Sequence, residues 1–206
     1  MNRRALVVLS LAIVSLAPLA EARGRAPVTT PGTYKEWGPD IDSIEIVKTF
    51  KAADYDKIVV QNFDTSKAPL PDPKEKWYGT QKMILAGYTE AFVEAFQKEL
   101  KAKASVETAE KAPKTSRTLV VRGTVEDLDP GSRAGRYLAG YGAGAASTKA
   151  GIELVDAKSG QLLARITQAR RSGGTFKFGG GSDLEVMRDT IHALGKDIAH
   201  VIDAFQ

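Results

Sequence analysis

The chain of 206 residues has no cysteine, only two histidines, and no apolar run longer than about a dozen residues. Without cysteine, the fold cannot use disulfides, no thiol can act as a nucleophile, and no lipid-modified cysteine can tether the chain to a membrane. Aromatic residues are only 7% of the sequence, and the net charge of +4 is too small to attract nucleic acid strongly. These absences favour a domain that is held together by its apolar core.

The N-terminus has the three parts of a secretory signal peptide. Arg3 and Arg4 form a positive region, residues 5–16 are apolar and uncharged, and residues 20–22 supply the small-x-small site that signal peptidase reads. The apolar stretch is shorter than the roughly 20 residues that a membrane-spanning helix needs. We therefore expect residues 1–22 to be a signal peptide cleaved near Ala22/Arg23, which leaves a periplasmic or secreted protein.

The rest of the chain is predicted to contain a tail and one domain. Residues 23–43 are rich in glycine, proline and threonine and are expected to form a flexible N-terminal tail. Residues 44–206 are expected to form a single α/β domain. Within it, β-branched composition or alternation predicts five strands. The sequence signal is weak at 44–47 and strong at 57–63, 119–125, 149–156 and 161–169.

Two stretches have the three- and four-residue apolar spacing of helices. They are residues 82–101 and 182–205, and the second begins with a capping box formed by Ser182 and Glu185. The first helix joins two of the strong strands, which favours parallel pairing of those strands, and Gly160 favours a hairpin between the last two. We predict an α+β fold (an α/β sandwich), a mixed four- to five-stranded sheet with two long helices on one face.

Two segments contain an unusual density of glycine, with five glycines in residues 131–144 and five more in 173–181. Their spacing fits neither a P-loop nor a dinucleotide-binding fingerprint. Because small side chains let another backbone approach closely, we predict an interaction surface here. Its candidate residues are Gly131, Gly135, Tyr137, Gly140, Tyr141, Gly142, Gly144, Phe176 and Phe178. The first segment could instead be a flexible crossover loop, or insert partly into a membrane. The second could be a mobile loop before the last helix, with Phe176 and Phe178 either exposed at its tip or folded back on the core.

A catalytic site is hard to assemble from this sequence. His192 and His200 are each preceded by an aspartate three residues earlier, but they lie about 12 Å apart along the predicted helix, too far to share one metal ion unaided. The aspartate pairs at 40/42, 54/56 and 127/129 stand beside turns or strand ends, where their side chains bond nearby amides. We expect no enzymatic activity, no metal and no cofactor.

The glycine segment and the later hairpin carry a resemblance to a known family. Residues 131–144 read GSRAGRYLAGYGAG and residues 155–164 read VDAKSGQLLA. In these motifs, and from about Tyr55 to Phe205, the chain resembles a bacterial envelope family known as domain of unknown function 4410. The resemblance implies an exported protein and brings no activity or site residue. The chain resembles curli-secretion lipoproteins and related outer-membrane assembly proteins more weakly. It differs from them in lacking the lipid-bearing cysteine.

These observations together predict an exported, non-catalytic envelope protein that acts by binding or assembly. Its partner would be an envelope protein or a second copy of the chain, and not a nucleic acid. Membrane contact stays open, but not as a transmembrane protein. The alternatives are an oligomeric, outer-membrane-associated secretion or pore component, and a small periplasmic ligand-binding protein or hydrolase.

Overall fold

The computed structural model describes residues 27–131, 145–172 and 182–206 of the chain. These residues form one seven-stranded sheet and three α-helices. In chain order the elements are β1 (Gly32–Trp37), β2 (Ile41–Ile46), β3 (Lys57–Gln61), α1 (Tyr78–Ala86), α2 (Tyr88–Glu99), β4 (Ser105–Ala109), β5 (Thr118–Asp129), β6 (Ser147–Asp156), β7 (Leu162–Arg171) and α3 (Asp183–Asp203).

The strands lie in the order β1-β2-β7-β6-β5-β3-β4. Strand β3 pairs in parallel with both β4 and β5, and all other neighbours are antiparallel. The predicted parallel pairing of β3 with β5 is therefore confirmed. The predicted hairpin of β6 and β7 is also confirmed, and Gly160 in its turn has a φ of 71°, which a residue with a Cβ rarely adopts.

The helices cover one face of the sheet. Alternate residues of the central strands point toward them, so that Ile152, Leu154 and Ile166 share one buried cluster with the apolar stripes of α2 and α3. The predicted capping box starts α3: Glu185 N donates to Ser182 Oγ, and Ser182 N donates to Glu185 Oε2. A smaller cluster of Val120, Val155 and Ala157 lies on the other face.

The predicted α+β class and mixed sheet are confirmed, but the number of strands is seven rather than four to five. One extra strand is the edge strand β4, in residues 102–116, a charged and alanine-rich stretch whose sequence predicts a connector with at most a short edge strand. The other is β1, which lies inside residues 23–43, the segment predicted as a flexible tail. That prediction is corrected for β1, because Trp37 is buried, stacks on Phe205 at 6.3 Å and donates its ring N–H to Val28 O at 2.6 Å.

The first predicted helix is two helices. The apolar stripe runs without interruption through Ile84, Tyr88 and Phe92, all of which are buried. Between them, Gly87 ends α1 and begins α2, and its backbone N–H donates to Met83 O. The apolar stripe indicates which face of the helices is buried. It gives no indication that α1 ends and α2 begins at this glycine.

The predicted signal peptide, residues 1–22, lies outside the described residues. Within the part of the chain that the structure describes, none of the helices has the length and apolar character needed to cross a bilayer.

Candidate functional site

Both ends of the first glycine segment and the start of the second lie at one end of the sheet. The last residue of β5, Asp129, pairs with Ser147 at the start of β6, and Ser147 pairs with Arg171 at the end of β7. Beyond the strands, Ser172 N donates to Ala146 O at 2.7 Å, and Ala146 N donates to Ser172 Oγ at 2.8 Å. We call the surface formed by residues 128–131, 145–148 and 170–172 the glycine end. The first glycine-rich segment leaves and rejoins the described fold there, and the second leaves it there.

Of the predicted interaction residues, Gly131 is the one that the structure describes. Its φ is 70°, and its N–H donates to Asp129 Oδ1 at 2.8 Å, so the chain turns sharply as it leaves β5. A side chain at this position would be strained. The other candidates, Gly135, Tyr137, Gly140, Tyr141, Gly142, Gly144, Phe176 and Phe178, lie outside the described residues and stay predictions.

Helix α1 and the proline-rich loop before it are fastened to the glycine end. The buried amide of Gln81 donates through Nε2 to Leu128 O at 2.9 Å, at the end of β5, and to Pro69 O at 2.6 Å, in the loop. Each carbonyl would otherwise need water, so this single side chain fixes three segments against one another. The result is a defined surface beside the glycine segments.

Apolar side chains are exposed on α1, in the loop before it and at the start of α3. Met83 on α1 is 66% exposed, Leu70 in the proline-rich loop is 47% exposed, and Leu184 in the first turn of α3 is also exposed. Among the described residues only Val28 and Val47 are comparable large apolar side chains in water. Val47 lies at the opposite end of the sheet, where its N–H donates to Leu163 O near the start of β7. Met83 was not singled out from the sequence, because the apolar helical stripe is formed by neighbouring residues and Met83 is not part of it.

The two histidines lie along the contact of α2 with α3. His200 Nε2 is 3.0 Å from Glu99 Oε1, and this contact leads the causes that lower the pKa of Glu99. His192 Nε2 is 3.5 Å from Glu94 Oε2, whose pKa is lowered chiefly by Arg188. Among the residues that the structure describes, no three potential ligand side chains come together as a metal site.

A buried polar cluster that sequence reasoning missed joins α3 to the sheet. The carboxylate of Asp197 is 4% exposed and is bound by the guanidinium of Arg170 through two hydrogen bonds. Gln168 Nε2 donates to Asp197 Oδ2 at 2.8 Å and to Asp40 O at 2.7 Å. Burial raises the pKa of Asp197, and the contacts with Arg170 and Gln168 oppose that shift. The sequence does carry a signal: Asp197 occupies a position of the apolar stripe, three residues after Leu194.

An open pocket of about 280 Å³ lies beside this cluster, between the β1–β2 turn and the end of α3. Its walls include Trp37, Asp40, Asp197, His200 and Asp203. Two of the charged walls have partners, since Asp203 accepts hydrogen bonds from the backbone N–H groups of Lys101 and Ala102, and Asp197 accepts from Arg170 and Gln168. The cluster ties α3 to β7 and to the β1–β2 turn.

Comparison with known proteins gives a family and several structural likenesses. The model of the family described as "Domain of unknown function (DUF4410)" matches residues 58–174. No curated protein matches the chain.

Among solved structures, the PelC dodecamer from Paraburkholderia phytofirmans is similar at 16% identity and a TM-score of 0.45, over 74% of this chain and 96% of that one. Lipoprotein GNA1162 from Neisseria meningitidis is similar at 17% identity and a TM-score of 0.35, over 70% of this chain and 98% of that one.

Proposed function

This chain belongs to the family described as domain of unknown function DUF4410, and from that premise we propose that it is an exported protein of the bacterial envelope that acts by binding or assembly, without catalysis. The observation that carries the proposal is that both glycine-rich segments depart from one end of the sheet, to which Gln81 fastens α1 and the proline-rich loop, two elements that expose Met83 and Leu70. The glycine end and the adjoining surface of α1 are the contact region in this proposal.

The composition of this region suits contact with a protein. Exposed apolar groups such as Met83 and Leu70 lose unfavourable water contacts when a partner covers them, and methionine adapts its shape to the partner. Gln81 holds the surface in place beforehand, so that little ordering is needed on binding. The adjoining glycines let a partner backbone approach closely.

The proposal of a non-catalytic role is supported by how the reactive side chains are occupied. Each histidine faces a glutamate on the helical surface, and the buried carboxylate of Asp197 is neutralised by Arg170. A general acid or base needs a free position from which it reaches a substrate. Export is supported by the signal-peptide pattern of residues 1–22.

The experiment measures the size of the complex that the protein forms in the envelope. The full chain is expressed in a bacterium with its own export signal, extracted in mild detergent and weighed by light scattering. We expect a discrete species heavier than the monomer. Met83→Asp places a charge in the contact and is expected to reduce that species at least tenfold. Gly140→Val is expected to do the same while the helical content by circular dichroism is retained.

The matched control is Val47→Asp, which makes the same kind of change at the opposite end of the sheet, at a side chain that is 43% exposed. It is expected to leave the species unchanged. A wild-type protein that stays monomeric in every envelope fraction would contradict the proposal. Equal losses in Met83→Asp and Val47→Asp would contradict the assignment of the contact to the glycine end. Repeating the weighing with added liposomes identifies the rival pore component, which assembles only in lipid.

A further inference from the structure

The face of the sheet that points away from the helices carries one row of alternating charges. Glu45 on β2 pairs in register with Arg165 on β7, Arg165 with Glu153 on β6, and Glu153 with Arg122 on β5. We call these four side chains the charge ladder. Its signs run minus, plus, minus, plus across four adjacent strands.

The charge ladder is a set of contacting ion pairs. Arg165 Nη1 is 2.8 Å from Glu45 Oε2, Arg165 Nε is 3.1 Å from Glu153 Oε1, and Arg122 Nη2 is 2.7 Å from Glu153 Oε2. The side chains of Arg122, Arg165 and Glu45 are 52%, 51% and 45% exposed, and that of Glu153 is 25% exposed. Each charge is therefore held in a fixed place and still has a free side that faces water.

The neighbouring row leaves the ladder accessible from above. It consists of Ser43, Thr167, Gly151 and Thr124, which pair in register across the same four strands. All four side chains are short, so the longer arginine and glutamate side chains stand above this part of the sheet. Glu126, which pairs with Lys149 at 2.9 Å, reaches over this row at Gly151, where a Cβ would lie only 3.0 Å from its Oε1, and the ladder side chains keep the exposure given above.

A row with an even number of alternating charges is complementary to the same row on a second copy of the chain when one particular two-fold rotation relates the two copies. A two-fold axis that runs parallel to the strands, between β7 and β6, brings Glu45 opposite Arg122 of a second copy and Arg165 opposite Glu153 of that copy. Every charge then meets the opposite sign. An axis perpendicular to the strands would instead place each residue opposite itself, so that like charges meet.

From this geometry we propose that a second copy of this chain docks face to face on the charge ladder, about a two-fold axis parallel to the strands. The occupant is argued from charge complementarity: the ladder matches its own reversed order. This surface is separate from the glycine end, and the inference stands or falls independently of the proposed function.

The dimensions fit such a contact and predict that it is weak. Packed sheets lie about 10 Å apart, which arginine and glutamate side chains can bridge from both sides. Aligned sheets cross at about 30°, which displaces the outermost pairs by about 4 Å, within the reach of arginine. Four strands at a spacing of about 4.8 Å give a face about 19 Å wide, which is at the small end of protein interfaces. The charges therefore supply orientation more than affinity.

The test is a set of charge reversals measured by sedimentation equilibrium on protein purified after export of the full chain. Wild type is expected to dimerise reversibly, with a dissociation constant that rises about tenfold or more between 0.05 and 0.5 M NaCl, because salt screens exposed charges. Arg165→Glu places like charges opposite each other at the centre of the contact and is expected to give monomers. The fourfold variant E45R/R165E/E153R/R122E inverts every sign, keeps the pairs within each chain, and is expected to dimerise again.

Mixing distinguishes this interface from any other. In a heterodimer of wild type and the inverted variant, every pair across the axis carries like charges, so mixed dimers are expected to be absent. The matched control is E94R/R188E, which inverts an exposed ion pair between α2 and α3 and is expected to dimerise like wild type. A monomeric wild type, a dimeric Arg165→Glu protein, a folded but monomeric inverted variant, or mixed dimers would each overturn the inference. Thermal unfolding verifies that each variant is folded.

Discussion

Gly195, in the middle of α3, packs directly on the backbone of α2, and its replacement by alanine gives a sharp prediction. A Cβ at this position would lie 2.4 Å from Phe92 O and 3.1 Å from Phe96 N, both of them backbone atoms of α2. Ordinary contacts begin near 3.4 Å, so the two helices must separate by about 1 Å. No side-chain rotation can relieve this overlap.

Two effects of opposite sign decide the result. Alanine in place of glycine inside a helix stabilises it by about 1 kcal/mol. Overpacking costs about 1–3 kcal/mol, and the upper end applies here because the obstacle is backbone and because separation loosens the buried rings of Phe92 and Phe96. We therefore expect Gly195→Ala to lower the free energy of unfolding by about 2 kcal/mol, which lowers the Tm by roughly 4–8 °C.

The assay is urea and thermal unfolding followed by circular dichroism. Gly79→Ala on α1 is the matched control, because a Cβ there meets nothing within 4 Å and only the helix preference operates. It is expected to leave stability unchanged or to raise it by up to about 1 kcal/mol. If Gly195→Ala proves as stable as Gly79→Ala, the close approach of α2 and α3 is wrong.

Two further predictions concern buried polar groups. Burial, followed by the charge of Asp156, raises the pKa of Tyr55 to about 12, so the stability from its neutral form is complete below pH 10 and is lost as the pH rises from 10 to 12. Tyr55→Phe is expected to flatten the dependence of the unfolding free energy on pH in that window, by about 2 kcal/mol at most because the phenol is only partly shielded from water. Asp197→Ala leaves the charge of Arg170 without its carboxylate partner, although the Arg170 side chain is 27% exposed and water can partly solvate it. We therefore expect the free energy of unfolding, measured in urea, to fall by about 2–3 kcal/mol. The double variant D197M/R170M is expected to recover most of that loss, and a double variant as unstable as Asp197→Ala would refute the pairing.

Local patterns are enough to predict those elements whose determinants lie close together in the chain. The capping box of Ser182 and Glu185 and the positive φ of Gly160 each depend on interactions within a few residues, and both are found as predicted. Strand β1 was not predicted: it pairs with the adjacent β2, but the contact that buries Trp37 is with Phe205, at the far end of the chain. Composition alone therefore assigns that segment to a tail.

Functional surfaces were harder to predict for the same reason. The charge ladder exists only because β2, β7, β6 and β5 are neighbours in a particular register, which no local pattern specifies. The common end of the sheet from which the two glycine segments depart likewise follows from the pairing of β5, β6 and β7. Their glycine density was visible in the sequence, but their shared location was not. Asp197 was visible as a charge on an apolar stripe, and its partner Arg170 required the fold.

The most direct test of the central claim, that this protein works through contact at the glycine end, is site-specific photo-crosslinking in living cells. A photoreactive phenylalanine analogue is placed at Met83, beside the glycine end, and separately at Val47, at the opposite end of the sheet. The account predicts a discrete adduct of higher mass from position 83 and none from position 47. Absence of any adduct at position 83, or equal adducts at both positions, would contradict it.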